Sequence, residues 1–240
     1  MHGERLIDVN ELAKSFGELQ VVEGVSLTLE PGGILGLVGA PGSGKTTTLR
    51  MIAGLLRPDA GGGQVLGEDV GSTSALRRSR IGYMGNRLGL SPELTVLEVL
   101  SQSAEEHSIA AAHRAIAAAV ERYALRSILD KRCGELSGDW ARRVQFVATI
   151  LHRPALLLLD EPTTGFDAAL RDDLWSWIER LAAEGHGIVL TTNDIAEAER
   201  CQTIVPYRDR RAQPQRPGYR PLDGMGGDRL VIELAPCSQD

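Results

Sequence analysis

Two kinds of apolar pattern run along the chain. Leu6-Ile7-Asp8-Val9 and Val25-Ser26-Leu27-Thr28-Leu29 alternate apolar and polar positions, as strands with one wet face do. Ile34–Val38, Ala155–Asp160 and Gly187–Thr192 are instead almost continuously apolar, the pattern of parallel strands covered on both faces. Val65-Leu66 and Ile81–Met84 read as short strands. Helical spacing links Leu49, Ile52, Ala53 and Leu56, and again Leu170, Leu174, Trp177, Ile178 and Leu181. Pro31-Gly32-Gly33 predicts a turn, and Arg57 to Gly63 a loop that ends the first helix.

Strands alternating with helices predict an α/β fold with a mostly parallel sheet covered on both sides. From about 92 to 140 the pattern becomes helical and Ala-rich, with Ile109, His113, Ile116, Val120 and Tyr123 on one face. This predicts a helical subdomain inserted between two halves of the core. The main domain is read as 1–205. The remainder, 206–240, begins with a segment rich in Arg, Pro and Gln that reads as a solvated linker or a basic patch for lipid headgroups. Arg229–Leu234 then supplies a short strand.

The strand Ile34–Val38 runs into Gly39-Ala40-Pro41-Gly42-Ser43-Gly44-Lys45-Thr46-Thr47, which opens a helix. This is the G-x-x-x-x-G-K-[ST] phosphate loop in its strand-to-helix setting. Its glycines let successive N–H groups point at an anion, and the helix N-terminus adds positive potential there. Lys45 reaches terminal phosphates, and the Thr46 hydroxyl suits Mg²⁺. Further on, Leu157-Leu158-Leu159-Asp160-Glu161 ends a buried strand in two carboxylates, where ligands bind in open α/β sheets. Asp160 in that position can hold Mg²⁺ through water. Glu161 can orient or deprotonate an attacking water. The competing reading of the acidic pair is a helix cap.

Composition narrows the function. The chain has 240 residues, 42% hydrophobic, with net charge −6. That supports a sizeable core and argues against a nucleic-acid binder working by bulk positive charge. No apolar run approaches the ~20 residues of a membrane span, and Met1–Arg5 has no apolar signal region. Cys133, Cys201 and Cys237 lack metal-ligand spacing and read as free thiols in a reducing compartment.

Taken together, these motifs resemble the ATP-binding cassettes of ABC transporters from Leu6 to about Val205. The resemblance implies the family's P-loop NTPase core, with an N-terminal antiparallel β subdomain and the inserted α-helical subdomain. It implies ATP and Mg²⁺ as ligands. Phe16, in Leu12-Ala13-Lys14-Ser15-Phe16-Gly17, corresponds to the aromatic residue that stacks on adenine; the alternative is a core Phe. Leu136-Ser137-Gly138-Asp139-Trp140 stands where the family has Leu-Ser-Gly-Gly-Gln, so Ser137 and Gly138 would meet a partner cassette's ATP. Thr163–Asp167 is similar to the loop that crosses the dimer interface. Two cassettes, identical or different, would pack head to tail, each ATP lying between one phosphate loop and the other signature. The partners implied are that second cassette and transmembrane subunits, at the cytoplasmic face of the membrane, and no nucleic acid.

Four residues, in three motifs, depart from the family. Asn86 stands in place of the Gln that reaches Mg²⁺ and water. Asp139 and Trp140 replace Gly-Gln of the signature, and Asn193 replaces the switch His. A carboxylate at Asp139 would repel the partner's γ-phosphate. Like charges ~4 Å apart cost on the order of 4 kcal/mol at an effective dielectric near 20. Alternatively Asp139 only caps its own helix. A bulky Trp140 would obstruct approach. Asn193 can hydrogen-bond a phosphate but cannot accept a proton. The expectation is an ATPase subunit with Lys45, Glu161 and Asn193 at the reacting phosphate and Thr46, Asn86 and Asp160 at the metal. Its hydrolysis would be weakened, and the tail from Gly226 to Glu233 resembles the start of the extra C-terminal segment of drug- and lipid-exporting branches, which implies export. The alternatives are a regulatory cassette that binds ATP and barely hydrolyses it, and a non-transport ABC protein. The latter usually has a long coiled coil or two cassettes per chain.

Overall fold

The computed structural model describes residues 5–72, 74–208 and 211–218. β1 (Ile7–Phe16) and β2 (Leu19–Leu29) form an antiparallel hairpin, each longer than its alternating segment predicts. β3 (Ile34–Val38) leads through the glycine loop into α1 (Lys45–Ile52). The chain then returns to the hairpin as β4 (Ala60–Val65) and β5 (Glu68–Asp69). After α2 (Ala75–Ser79), β6 (Ile81–Met84) enters the parallel sheet. The helices α3 (Val96–Glu106), α4 (Ala112–Arg122) and α5 (Gly138–Ile150) follow. The core resumes with β7 (Leu156–Asp160), α6 (Ala168–Ala183), β8 (Gly187–Thr192), α7 (Ile195–Arg200) and β9 (Thr203–Arg208). Short strands β10 (Arg211–Ala212) and β11 (Arg216–Pro217) both pair with β9.

The parallel strands lie in the order β9-β3-β8-β7-β6, and β10 joins them to the antiparallel hairpin on the β2 side. The continuous apolar runs are explained by two cores. Ile34, Val38, Leu157, Leu159, Ile188 and Leu190 face the layer containing α5 and α6. Leu35, Leu37, Leu156, Leu158 and Val189 face α1 and the hairpin. Strand side chains alternate between faces, so burial on both makes every position apolar.

The segment read as a loop from Arg57 to Gly63 is partly strand. Gly61 (φ 81°) and Gly63 (φ 127°) lie so close to β1 that an added Cβ would come within 2.3 Å of Glu11 O and 2.2 Å of Asp8 O. The triple glycine marks close backbone approach rather than a free loop. His113, expected on the buried face of α4, is exposed; Ala119 lies on that face beside Ile116 and Val120. The stretch read as a linker from residue 206 continues as the end of β9, β10 and β11. Arg229–Leu234, read as a further strand, and Cys237 lie outside the described residues. Cys133 and Cys201 are buried free thiols whose pKa burial raises.

Candidate functional site

β3 and β7 are separated by β8 in the sheet, so both loops that follow them open at the same strand ends. Gly39 has no room for a side chain: a Cβ would come within 2.9 Å of Tyr207. Gly42 (φ 76°) and Gly44 (φ 103°) take backbone angles that other residues adopt at a cost. Gly44 is the N-cap of α1 and no side chain caps that end. The first amides of α1 are thus left to an anion.

Lys45 is buried, and its Nζ donates to the carbonyls of Gly39 at 2.7 Å and Ala40 at 2.9 Å. Burial lowers its pKa, while the carboxylates of Glu161 and Asp160 act in the opposite direction. Thr46 Oγ1 donates to Asp160 Oδ1 at 2.9 Å, and Thr191 Oγ1 donates to the same oxygen at 2.7 Å. Asp160 is 1% exposed, and its Oδ2 has no hydrogen-bond partner among the described residues. The buried hydroxyl of Ser43 also lacks one. Orphaned buried oxygens of this kind are costly unless a ligand or water satisfies them. Pro41, Thr47 and the rest of Gly39–Thr46 complete the loop. Asp160 is the last residue of β7 and starts no helix, so the cap reading of the acidic pair fails.

These residues fit Mg²⁺ with a nucleotide phosphate. Magnesium keeps most of its waters and takes one or two protein oxygens besides phosphate. Thr46 Oγ1 and Asp160 supply that set, and no group of three His, Cys, Asp or Glu needs to converge; none does among the described residues.

Glu161 follows at once, half-buried, with φ of 47°. Its N–H donates to Thr191 Oγ1 at 2.8 Å, and Thr164 Oγ1 donates to its Oε2 at 3.4 Å. Asn86 and Asn193 are both exposed, just beyond the C-terminal ends of the parallel strands β6 and β8. Thr192, beside Asn193, donates to buried Glu197 Oε2 at 2.6 Å, and Thr163 donates to Glu197 Oε1. Glu197 thereby joins the loop after β7 to the end of β8. Sequence reading missed it because only the fold makes its two partners neighbours.

Phe16 is 52% exposed, with Lys14 Nζ 5.8 Å from its ring centre, so the core reading of Phe16 fails. At the start of α5, Ser137 is the N-cap and accepts from Trp140 N at 3.5 Å. Asp139 is not the cap. It sits half-buried in the first turn with no side-chain hydrogen bond among the described residues. Gly138 is exposed, with nothing within 4 Å of an added Cβ. The Trp140 ring is turned back onto Arg143, whose guanidinium lies 4.7 Å from it and 4.9 Å from Trp177. Trp140 is therefore packed against the helical layer, and the expected obstruction by its bulk has a weaker basis than the Asp139 charge. Ser137, Gly138 and Phe16 stand apart from the Lys45–Asp160 cluster in this single chain, with no contact to it among the hydrogen bonds described.

A groove of about 420 Å³ opens beside the Asn86 loop, lined by Tyr83, Leu90, Gln102, Glu106, His107 and Gln145 among others. His107 and His152 stack nearby with ring centres 3.7 Å apart.

The family described as ABC transporter matches residues 22–164, more than half of the chain. A Nod factor export ATP-binding protein I from Paraburkholderia xenovorans (strain LB400) is 39% identical over 199 residues, 82% of this chain and 66% of that protein. The probable multidrug ABC transporter ATP-binding protein YbhF from Escherichia coli (strain K12) is 34% identical over 204 residues, 84% of this chain and 35% of that protein. The chain thus spans just under two thirds of the length of the first curated relatives it matches. Among solved structures, an ATP-binding subunit of an ABC transporter superposes with a TM-score of 0.81 at 27% identity, covering 88% of this chain and 90% of that one. A dimeric ATP-binding cassette in a post-hydrolysis state with ADP and Pi superposes with a TM-score of 0.79 at 22% identity, covering 90% and 98%.

Proposed function

Because the chain belongs to the ABC transporter family, as one of its ATP-binding cassettes, we propose that it binds Mg-ATP at an interface with a second cassette. There it hydrolyses ATP slowly, to drive export by separate transmembrane subunits at the cytoplasmic face of the membrane. The observation that carries the reading is the Thr46–Asp160–Thr191 cluster, with an orphaned carboxylate oxygen and Glu161 next to it. Lys45 would exchange the carbonyls of Gly39 and Ala40 for phosphate oxygens, a stronger pairing because it is charge-assisted. Mg²⁺ held by Thr46 and Asp160 would neutralise phosphate charge. Glu161 would orient the attacking water and take its proton. Exposed Phe16 offers a face for adenine.

Export is supported by the names of the relatives, one a Nod factor exporter and one a probable multidrug transporter. The groove beside Asn86 is the surface we assign to the transmembrane subunit, since it adjoins the loop whose Asn86 we assign to the metal. Slow turnover follows from Asn193, which can donate a hydrogen bond but cannot accept a proton, and from Asp139 in the signature. The same two residues favour the second reading, a regulatory cassette paired with an active one. Pre-steady-state hydrolysis with the transmembrane partner present separates the two.

The direct test is calorimetry and phosphate release on the purified chain. ATP binds; Lys45→Ala weakens binding about tenfold or more. Glu161→Gln spares binding and removes the slow hydrolysis. Loss of binding in the unaltered chain would overturn the proposal, and fast turnover by the chain alone would overturn the weakened-cassette part.

A further inference from the structure

We propose that Arg142 is a positioning residue for hydrolysis: its buried guanidinium holds the backbone from which the Glu161 carboxylate projects and ties it to the Asn86 loop. This rests on the hydrolytic reading above. Arg142 lies in the second turn of α5, five residues after the Ser137 cap, and is 5% exposed. Its two terminal nitrogens serve different loops. One donates to Gly85 O at 3.0 Å and to Gln145 Oε1 at 3.2 Å. The other donates to Glu161 O at 3.1 Å. Gln145 in turn donates to Arg87 O at 3.0 Å. The residues on either side of Asn86 are therefore both held, one by Arg142 and one by its neighbour.

Glu161 is the residue that most needs holding. Its φ of 47° is a backbone angle that a side-chain-bearing residue adopts only when its surroundings impose it. Thr191 Oγ1 grips the N–H of Glu161 and Arg142 grips its C=O. With both ends of the residue fixed, the Cα–Cβ direction is fixed, and the side-chain torsions, with the bond from Thr164, set the carboxylate's approach to a water from that starting direction. Errors of about 1 Å in such an approach lower rates on the order of 100-fold. Burial lowers the Arg142 pKa, with Asp160 and Glu161 acting in the opposite direction, and an arginine stays charged throughout. The planar fork matters because its two terminal nitrogens reach carbonyls on two different loops, whereas all the donors of a lysine sit on one nitrogen.

The arrangement also has a directional consequence. The first turn of α5 carries Ser137 to Trp140, which would face the partner's ATP. The second turn carries Arg142, which serves this chain's own Glu161. A shift of α5 on engaging the partner's nucleotide would move the guanidinium and with it the base of the other site.

The test uses the full chain in excess over radiolabelled Mg-ATP, so that single-turnover cleavage is read even when slow, with ATP affinity measured by calorimetry. Arg142→Lys is expected to hold the dissociation constant within about twofold while slowing cleavage about tenfold or more. Cleavage at the unaltered rate overturns the proposal and leaves the ATPase reading standing. Affinity and rate falling together in a folded variant also overturn it, since that is the mark of a merely structural residue. Absence of ATP binding in the unaltered chain overturns the ATPase reading itself. An unaltered chain that binds ATP but cleaves it no faster than Glu161→Gln overturns the proposal and the hydrolytic half of that reading. Should Arg142→Lys lose its cooperative melting transition, Gln145→Ala decides. It is expected to slow cleavage about threefold or more at unchanged affinity, and an unchanged rate overturns the proposal.

Discussion

Thr46 Oγ1 donates to Asp160 Oδ1 at 2.9 Å across 114 positions of sequence. The bond joins the first residues of α1 to the end of β7, although β8 lies between β3 and β7 in the sheet. Asp160 Oδ1 takes a second bond from Thr191, and Oδ2 meets no donor among the described residues.

Asp160→Asn keeps an oxygen for Thr46 and Thr191 but removes the charge. The expected result is a lost Mg²⁺ dependence. ATP affinity with Mg²⁺ falls about tenfold or more, while affinity in chelator is nearly unchanged. Calorimetry with and without Mg²⁺ checks this, and an undiminished Mg²⁺ effect would remove Asp160 from the metal site.

Asp139→Gly removes a first-turn carboxylate of α5 that makes no side-chain hydrogen bond among the described residues. In a Glu161→Gln background, ATP-driven pairing of two copies should tighten about tenfold or more, from a repulsion on the order of several kcal/mol before relaxation. Trp140→Gln should have little effect on pairing, because its ring already lies on Arg143. Light scattering across a concentration series reads both.

His152 gives the fold an acid sensitivity. Burial, and then the neighbouring His107, lower its pKa from 6.5 to about 4. Between those values the unfolded chain binds a proton that the folded chain refuses. Stability therefore falls as pH drops from about 6.5 toward 4 and is fully regained above 6.5. The loss attributable to His152 is on the order of 2–3 kcal/mol. Urea melts at pH 7.5 and 5 should differ, and His152→Gln should shrink the difference; an equal difference in both chains would exclude His152 as the source.

Gly63→Ala should destabilise the hairpin edge by about 2 kcal/mol or more. Its φ of 127° excludes ordinary side chains, and the new Cβ would come within 2.2 Å of Asp8 O. Gly62→Ala is the control, since nothing lies within 4 Å of its Cβ position. Denaturant midpoints of the two variants should differ clearly.

Much of the site was legible along the chain because its parts are local. A glycine loop between an apolar strand and a helix specifies its own backbone, and the physics of Gly39–Thr46 needs no distant residue. Asp160 and Glu161 were legible for a similar reason: an apolar run that stops at two carboxylates marks a strand end. The exposure of Phe16 was not legible, since one aromatic in an alternating strand packs inward or stands outward depending on what covers it. Nor was the strand character of Ala60–Gly63, where glycine's usual meaning as a loop was overridden by contact with β1.

The sequence by itself determined the parallel α/β core, the phosphate loop, the acidic strand end and the departures at Asn86, Asp139 and Asn193. Each is a matter of residue type within a few positions. Tertiary structure alone decided that Arg142 grips Gly85 and Glu161, that Glu197 joins Thr163 to Thr192, and that Trp140 stacks on Arg143 beside Trp177. The reason is range: a buried guanidinium or carboxylate takes its partners from whichever loops the sheet order brings together, and that order is set by the packing of two cores rather than by any one segment.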